Sequence, residues 1–439
     1  MTNSGDPVAA FIAAACVPLD SGHATGTLDA AAAILAAHPE VATASVHTAA
    51  ILGDAAAVRR YLALDPLNAT AKGGPHGWDA LTHLCFSRYL RLDRARSDGF
   101  VRAATALLDA GASANTGWTE RHHQPEPEWE SALYGAAGVA HHPELTRLLL
   151  ERGADPNDGE TVYHTPETRD NRALELLVET GRLSDASLAT ILIRKTDWHD
   201  DAALKWLLDR GVHPDLPSRW GRTALHNAIR SGNSLGIVDL LLDHGADPAL
   251  LANGRSAIAM AARKGRGDVL ASFERRGIVV ALHGVERLIA ACARADAAAC
   301  RDLADREPGL LRELLAEGGT LLAEFAATGN TAGVRQLLDL GVNVGAPYAA
   351  GNAYLGIPPN STALHVAAWL AYPATVRLLI ERGAPVDLPD TNGRTPLALA
   401  VRACVDSYWT DRCTPDLVKA LLQAGASARG IDIPPALIE

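Results

Sequence analysis

The sequence predicts an all-α solenoid of about twelve helix-turn-helix units. Three observations predict it. A leucine-rich helical ending closed by glycine recurs roughly every 33 residues. Aromatic residues make up only 5% of the chain, and the apolar 48% is carried largely by Ala, Leu and Val, a balance that suits close-packed helices better than sheets. A fixed period also overrides the prior of several separate domains that 439 residues would otherwise carry.

Taken in order, residues 1–43 hold two Ala-rich apolar runs, PVAAFIAAACV and LDAAAAILAAH, without the signature seen later. They read as an N-terminal capping helix pair. No basic leader precedes the first run, so it does not read as a secretory signal. No later run nears the roughly 18 residues that span a bilayer. A soluble, cytoplasmic chain without a membrane partner is the expectation.

Residues 44–430 carry the repeats. LLDAG ends at Gly111, LLERG at Gly153, LVETG at Gly181, LLDRG at Gly211 and LLDHG at Gly245; FERRG, LLDLG, LIERG and LLQAG follow at Gly277, Gly341, Gly383 and Gly425. Each ending follows an apolar stripe at helical spacing, and glycine ends a helix in the left-handed region without a Cβ penalty. Upstream stand shorter segments, TALHNAI (Thr223 to Ile229), TALHVAA (Thr362 to Ala368) and TPLALA (Thr395 to Ala400). Thr can cap such a helix and Pro396 suits its first turn. The tail IDIPPALIE, residues 431–439, closes the far end.

With NGRTPLALA, WGRTALHNA and STALHVAA joined to GADPN-type endings, the chain resembles the ankyrin-repeat family, in the form of a long bacterial-type array with inserted fingers. The match loosens over 160–215 and 277–320. The resemblance implies a turn and two antiparallel helices per unit, and a protein-binding role. It also implies that the signature histidines, such as His226 and His365, make hydrogen bonds inside their own repeat.

The register settles how to read KTDWHDD, which crowds Asp197, His199, Asp200 and Asp201 beside Trp198. Counting back from the closing glycines puts His199 at the inter-helix turn, where His141, Arg169 and Gly329 stand in their own repeats. His tolerates positive φ better than most residues. Asp200 is then placed to cap the next helix, at a cost of about 1 kcal/mol on replacement by Ala. A metal site is the competing reading, and none is assigned here.

Function is sought where the period is broken. Two fingers are expanded, 112–130 with Trp118 and Trp129, and 345–361 with Tyr348 and Tyr354. Two insertions, 85–100 and 403–416, sit between helices and read as lengthened hairpins whose aromatics pack on the next repeat. An unidentified protein partner is expected along the concave face and fingers, anchored by exposed Trp118, Trp129, Trp220, Tyr348 and Tyr354 together with Tyr134 and Tyr163. The alternative is an enzyme or small-molecule binder whose polar groove near residues 79–198 draws on His83, Glu130, Tyr134, His164 and Glu167. His47, His83 and His164 each read equally as structural. No nucleophile elbow, phosphate loop, zinc-protease or dinucleotide motif is present, so no catalytic residue is assigned and no cofactor is expected.

Charge and cysteine content narrow the rest. With 40 basic against 51 acidic residues and a net charge of -11, no basic cluster offers itself to nucleic acid. The six cysteines are dispersed and read mostly as small buried apolar residues of a reducing compartment. Capped solenoids need no partner for stability, which makes a monomer the default.

Overall fold

The computed structural model describes residues 6–19, 22–123, 126–407 and 412–437. The chain divides into two compact units, Met1–Trp220 and Gly221–Glu439. Each is a stack of antiparallel helix pairs. The first unit opens with the pair Pro7–Ala15 and Asp29–Ala37 and ends with Asp185–Asp197 and Asp201–Asp209. The second opens with Ala224–Arg230 and Leu235–Asp243 and ends with Pro396–Val405 and Pro415–Gln423.

Glycine closes the repeats for a backbone reason. The closing glycines have φ between 64° at Gly181 and 102° at Gly111. A Cβ added at any of them would meet nothing within 4 Å. Handedness, not space, therefore selects glycine. The starts of the first helices follow the sequence reading in part, since Thr223 stands at an N-cap position without a side-chain capping bond. Thr395 accepts from the Ala398 N–H with Pro396 in the first turn. His226 and His365 bond the hydroxyls of Thr223 and Thr362 at 2.8 and 2.9 Å, the structural role expected of them.

The inter-helix turn is left-handed where the register places it, with φ of 46° at His141, 49° at His199 and 68° at Gly329. Asp200 accepts from the Ala203 N–H at 3.1 Å and so caps its helix. The count slips at Arg169, because the helix that follows starts at Arg172, one residue later than the register implies. One partner of Asp200 was invisible in the sequence: Lys195, fully buried, donates to it at 3.0 Å and to the Thr168 carbonyl at 2.7 Å.

Departures from the period fold in distinct ways. The double interval before Gly341 holds an extra helix, Pro308–Ala316. The insertion 85–100 forms helix Arg88–Leu92, whose Tyr89 packs backwards on Phe11 with ring centres 6.4 Å apart, while Phe86 meets Tyr134 at 5.9 Å and Arg94 donates to Ala140 O in the next repeat, so the expected forward packing holds for part of the insertion only. Arg88 donates to Ala14 O, and Arg91 to Thr25 O and Gly26 O, so this helix grips the loop between the first two helices. In the insertion 403–416, residues 408–411 with Tyr408 and Trp409 lie outside the described residues. Cys404 and Cys413 form a disulfide with their Cα atoms 5.2 Å apart, which corrects the reading of the cysteines as mostly buried thiols for these two. Cys16, Cys85, Cys292 and Cys300 are buried and free.

Three short hairpins are the fingers. β1 (Gly117–Glu120) pairs antiparallel with β2 (Glu128–Ser131). β3 (Leu251–Ala252) pairs with β4 (Arg255–Ser256), and β5 (Pro347–Tyr348) with β6 (Ser361–Thr362).

Candidate functional site

The β1–β2 hairpin decides the chemistry of the first unit. Side chains alternate across a ladder, and directly opposed residues share a face. Trp118 stands opposite Glu130 and Thr119 opposite Trp129. One face therefore carries Trp118, Glu120 and Glu130 inward, to 8%, 5% and 1% exposure, while Trp129 stays 45% exposed. Trp118 packs on Trp78 and Phe86, with ring centres 5.1 and 5.9 Å away. Two carboxylates are thus carried into the interior by the same pleat that seats an indole.

A histidine meets them. His23 lies in the loop gripped by Arg88 and Arg91, and Gly26 in that loop has φ of 87° with no room for a Cβ beside the Arg88 guanidinium. The imidazole places Nε2 3.6 Å from Glu120 and Nδ1 3.9 Å from Glu130. Nδ1 is also hydrogen-bonded to the Tyr134 hydroxyl at 2.9 Å. Neither oxygen of Glu130 has a hydrogen-bond partner. Burial, reinforced by repulsion from Glu160 and Glu120, pushes the Glu130 carboxyl up to about 8.

A second charged group lies alongside. Asp158 caps helix Gly159–His164 and accepts from the Ser131 hydroxyl at 2.8 Å, which fixes this helix to the hairpin. Glu160 and His164 fall one turn apart and pair at 3.0 Å; Glu167 takes the other ring nitrogen of His164 at 2.9 Å. Burial opposes the imidazolium, but the two carboxylates outweigh it and hold His164 up to about 9. Burial likewise works against the charge on Glu160 and Glu167, and hydrogen bonding to His164 brings both below the ordinary carboxylate range. Arg194 bonds Glu167 and Asp197 and closes the chain of charges. A cavity of about 540 Å³ opens between these groups, lined among others by His23, Glu120, Tyr134, Glu160, His164 and Glu167. A larger cavity, about 690 Å³, lies among inter-helix turns of the second unit, where Arg266 is already paired with Asp268. The smaller one holds the converging titratable groups.

The sequence-derived residues separate accordingly. Tyr134, His164 and Glu167 line the cavity, and Glu130 reaches its wall through His23. His83 is elsewhere: it is buried against Trp78 and His47 and bonds Gly73 O at 3.2 Å. Burial drives its pKa down to about 3, so it stays neutral. His47 bonds Ala71 O at 2.9 Å. Of the expected anchors, Trp118 and Tyr348, expected to be exposed, are buried at 8% and 4% exposure, and Tyr134 at 3%, because each points inward from its hairpin or helix. Trp129 and Tyr354 are exposed, and Tyr163 and Trp220 half-buried. His23, Glu120 and Glu160 were not singled out. The W-T-E and E-W-E alternation of the hairpin was the available signal for Glu120, whereas SGHATG offered none for His23.

Comparison with known proteins finds ankyrin repeats in two stretches of the chain. A model of three ankyrin repeats matches residues 192–273, and a single ankyrin repeat model matches 360–391. The B-cell lymphoma 3 protein homolog of Mus musculus is 30% identical over 149 residues, 31% of this chain and 33% of that protein, so the match spans about a third of the relative's length. The crystal structure of the human ASB11 ankyrin repeat domain aligns at 22% identity over 63% of this chain and 99% of that one, with a TM-score of 0.25.

Proposed function

We propose that this chain, an ankyrin-repeat protein, holds a protein partner on its first unit, over a surface running from the outer face of the β1–β2 hairpin to Trp220. Ankyrin repeats generally mediate protein–protein interaction. One observation carries the placement: a preordered group of Trp, Tyr and Arg on that surface. The Tyr163 ring lies under Arg194 and Arg219, at 4.2 and 5.2 Å, with Trp220 6.0 Å away. Gly159 sits between Arg219 and Glu128, the neighbour of Trp129, and so joins this group to the hairpin. These residue types dominate interface hot spots, and rings already fixed by packing lose little freedom on binding.

The test uses Trp129→Ala and Trp220→Ala, separately and together, in place of any change at buried Trp118. Capture on immobilised full chain is compared between the wild type and the double variant, with melting curves confirming that both are folded. A protein retained by the wild type should be lost by the double variant, and its measured affinity should fall by about 30-fold or more, equivalent to roughly 2 kcal/mol. Equal retention by both would overturn the reading.

A second reading has its own observation, the cavity of about 540 Å³ where Tyr134, His164 and Glu167 converge. A polar concavity with paired acid and base groups suits a small polar ligand. Native mass spectrometry of the purified chain tests it, and a small molecule retained by the wild type should be absent from His164→Asn. Retention by both would place the ligand elsewhere.

A further inference from the structure

Among the described residues, the Glu130 carboxyl is a buried group left unsatisfied in a way that protonation does not cure. Glu130 is 1% exposed, and neither of its oxygens has a hydrogen-bond partner. A protonated carboxyl there would carry a donor with no acceptor in reach. An ionised one would be a buried charge beside two more carboxylates, Glu120 and Glu160. Either state is costly in a dry interior. A cation at the same place would turn the defect into a ligand set.

The geometry supports that solution. One atom each of His23, Glu120 and Glu130 lie within 4.8 Å of one another, and all three side chains are buried. Nε2 of His23 and the nearer oxygen of Glu120 are 3.6 Å apart. Two ligands of a tetrahedral ion at bond lengths near 2.1 Å stand about 3.4 Å apart, so this pair needs a shift of only a few tenths of an ångström, and Glu130 must close in from within 4.8 Å. The hydrogen bond between Nδ1 and the Tyr134 hydroxyl supplies the outer contact that fixes a ligating ring: with Nδ1–H donating to the Tyr134 oxygen, Nε2 turns its lone pair to the carboxylates.

We propose that His23, Glu120 and Glu130 bind one divalent transition-metal cation of the Zn²⁺ type, with an open coordination position facing the cavity. Two carboxylates balance the charge of a divalent ion. An imidazole selects zinc-like metals over magnesium and calcium, which take oxygen. Three protein ligands leave a fourth position, and His23 and Glu120 both line the cavity into which it opens. Binding would also staple the loop after the first helix to the hairpin. The site stands independently of the protein-binding surface, which lies on the outer face of the same hairpin.

The probe is Zn²⁺ itself, titrated calorimetrically into chelator-stripped full-length chain, with metal content read after gel filtration. The wild type should take one equivalent and melt at a higher temperature with the metal than without. Loss of an outer-contact partner typically weakens a metal about 10-fold to 100-fold, so Tyr134→Phe should fall in that range and Glu130→Gln beyond it. His122→Ala/His123→Ala, which alters two nearby histidines outside the ligand set, should bind as the wild type does. If Glu130→Gln fails to give a native circular dichroism spectrum, His23→Asn and Tyr134→Phe decide in its place. Unchanged affinity in the folded ligand variants, or loss of binding only in the His122/His123 variant, would overturn the proposal, as would a wild type that retains no zinc.

Discussion

The two expanded fingers look alike in sequence and differ in what they bury. Both are antiparallel hairpins placed before a first helix of a repeat. In the second, every notable polar group has a partner: the Tyr348 hydroxyl donates to Glu324 at 2.6 Å, Glu324 also pairs with Lys264, and the Trp369 indole N–H donates to Leu355 O at 2.7 Å. In the first, the Trp118 indole nitrogen and both oxygens of Glu130 have no hydrogen-bond partner although they are buried. Native interiors satisfy nearly all such groups, and the exceptions ask for an explanation. The second finger is explained by packing alone. The first is not, and that difference, rather than the presence of an insertion, is what points to function.

The largest effect that sharpens the contrast is expected at the base of the first finger. Trp118→Ala should destabilise the protein by about 4 kcal/mol, because it empties a core position shared with Trp78 and Phe86. Denaturant unfolding measures this, and a loss below about 1 kcal/mol would mean that the hairpin face is not part of the core. Next comes a buried charge that is fully partnered, as a foil to Glu130. Asp200→Ala removes both a helix cap and the counter-charge of buried Lys195, so the loss should be about 3 kcal/mol, not the 1 kcal/mol of a cap alone. Unfolding of Asp200→Asn, which keeps an acceptor without the charge, separates the two contributions.

Much of this architecture could be read in the sequence because its determinants are local. The closing glycines, Pro396 and the Thr395 cap each act within a few residues of where they stand. Even His199 was legible, since a left-handed turn position follows from register. The first finger was not. Its residues become a strand pair only when the ladder forms, and the alternation that hides Trp118 and Glu130 while exposing Trp129 has no meaning in a loop. His23 was harder still. It comes from a glycine-bearing linker about a hundred residues away, held by arginines of an insertion whose direction of packing the sequence does not specify. His83 misled for the opposite reason: its residue type suited a polar groove, but the depth of burial that makes it neutral is a tertiary property.

Glu130→Gln should act in the opposite direction to Asp200→Ala. In metal-stripped protein it should raise stability by on the order of 2 kcal/mol at pH 7, because it removes an acid that the native state holds protonated. The sign follows from the pKa values. Glu130 rises from 4.5 to about 8 on folding, so its contribution falls as pH climbs from 4.5 to 8. His164 rises from 6.5 to about 9, so its contribution is complete below 6.5 and is lost towards 9. The variant should flatten the first fall and leave the second, and above pH 8 the two stability profiles should run parallel. Parallel profiles throughout would show that Glu130 is solvated in the native state.

The smallest effect tests the satisfied finger. Tyr348→Phe removes one hydroxyl and leaves its ring in place, so only the bond to Glu324 is lost. Bonds to charged groups contribute more than neutral ones, but Glu324 keeps Lys264 and is not left alone. A loss of about 1 kcal/mol in denaturant unfolding is therefore expected. Because Tyr348 is already fully partnered, the loss should not change with added Zn²⁺. A Tyr348 variant whose stability responded to the metal differently from the wild type would put the second finger in the same class as the first. The contrast between a hairpin that merely packs and one that holds its polar groups ready for a ligand would then fail.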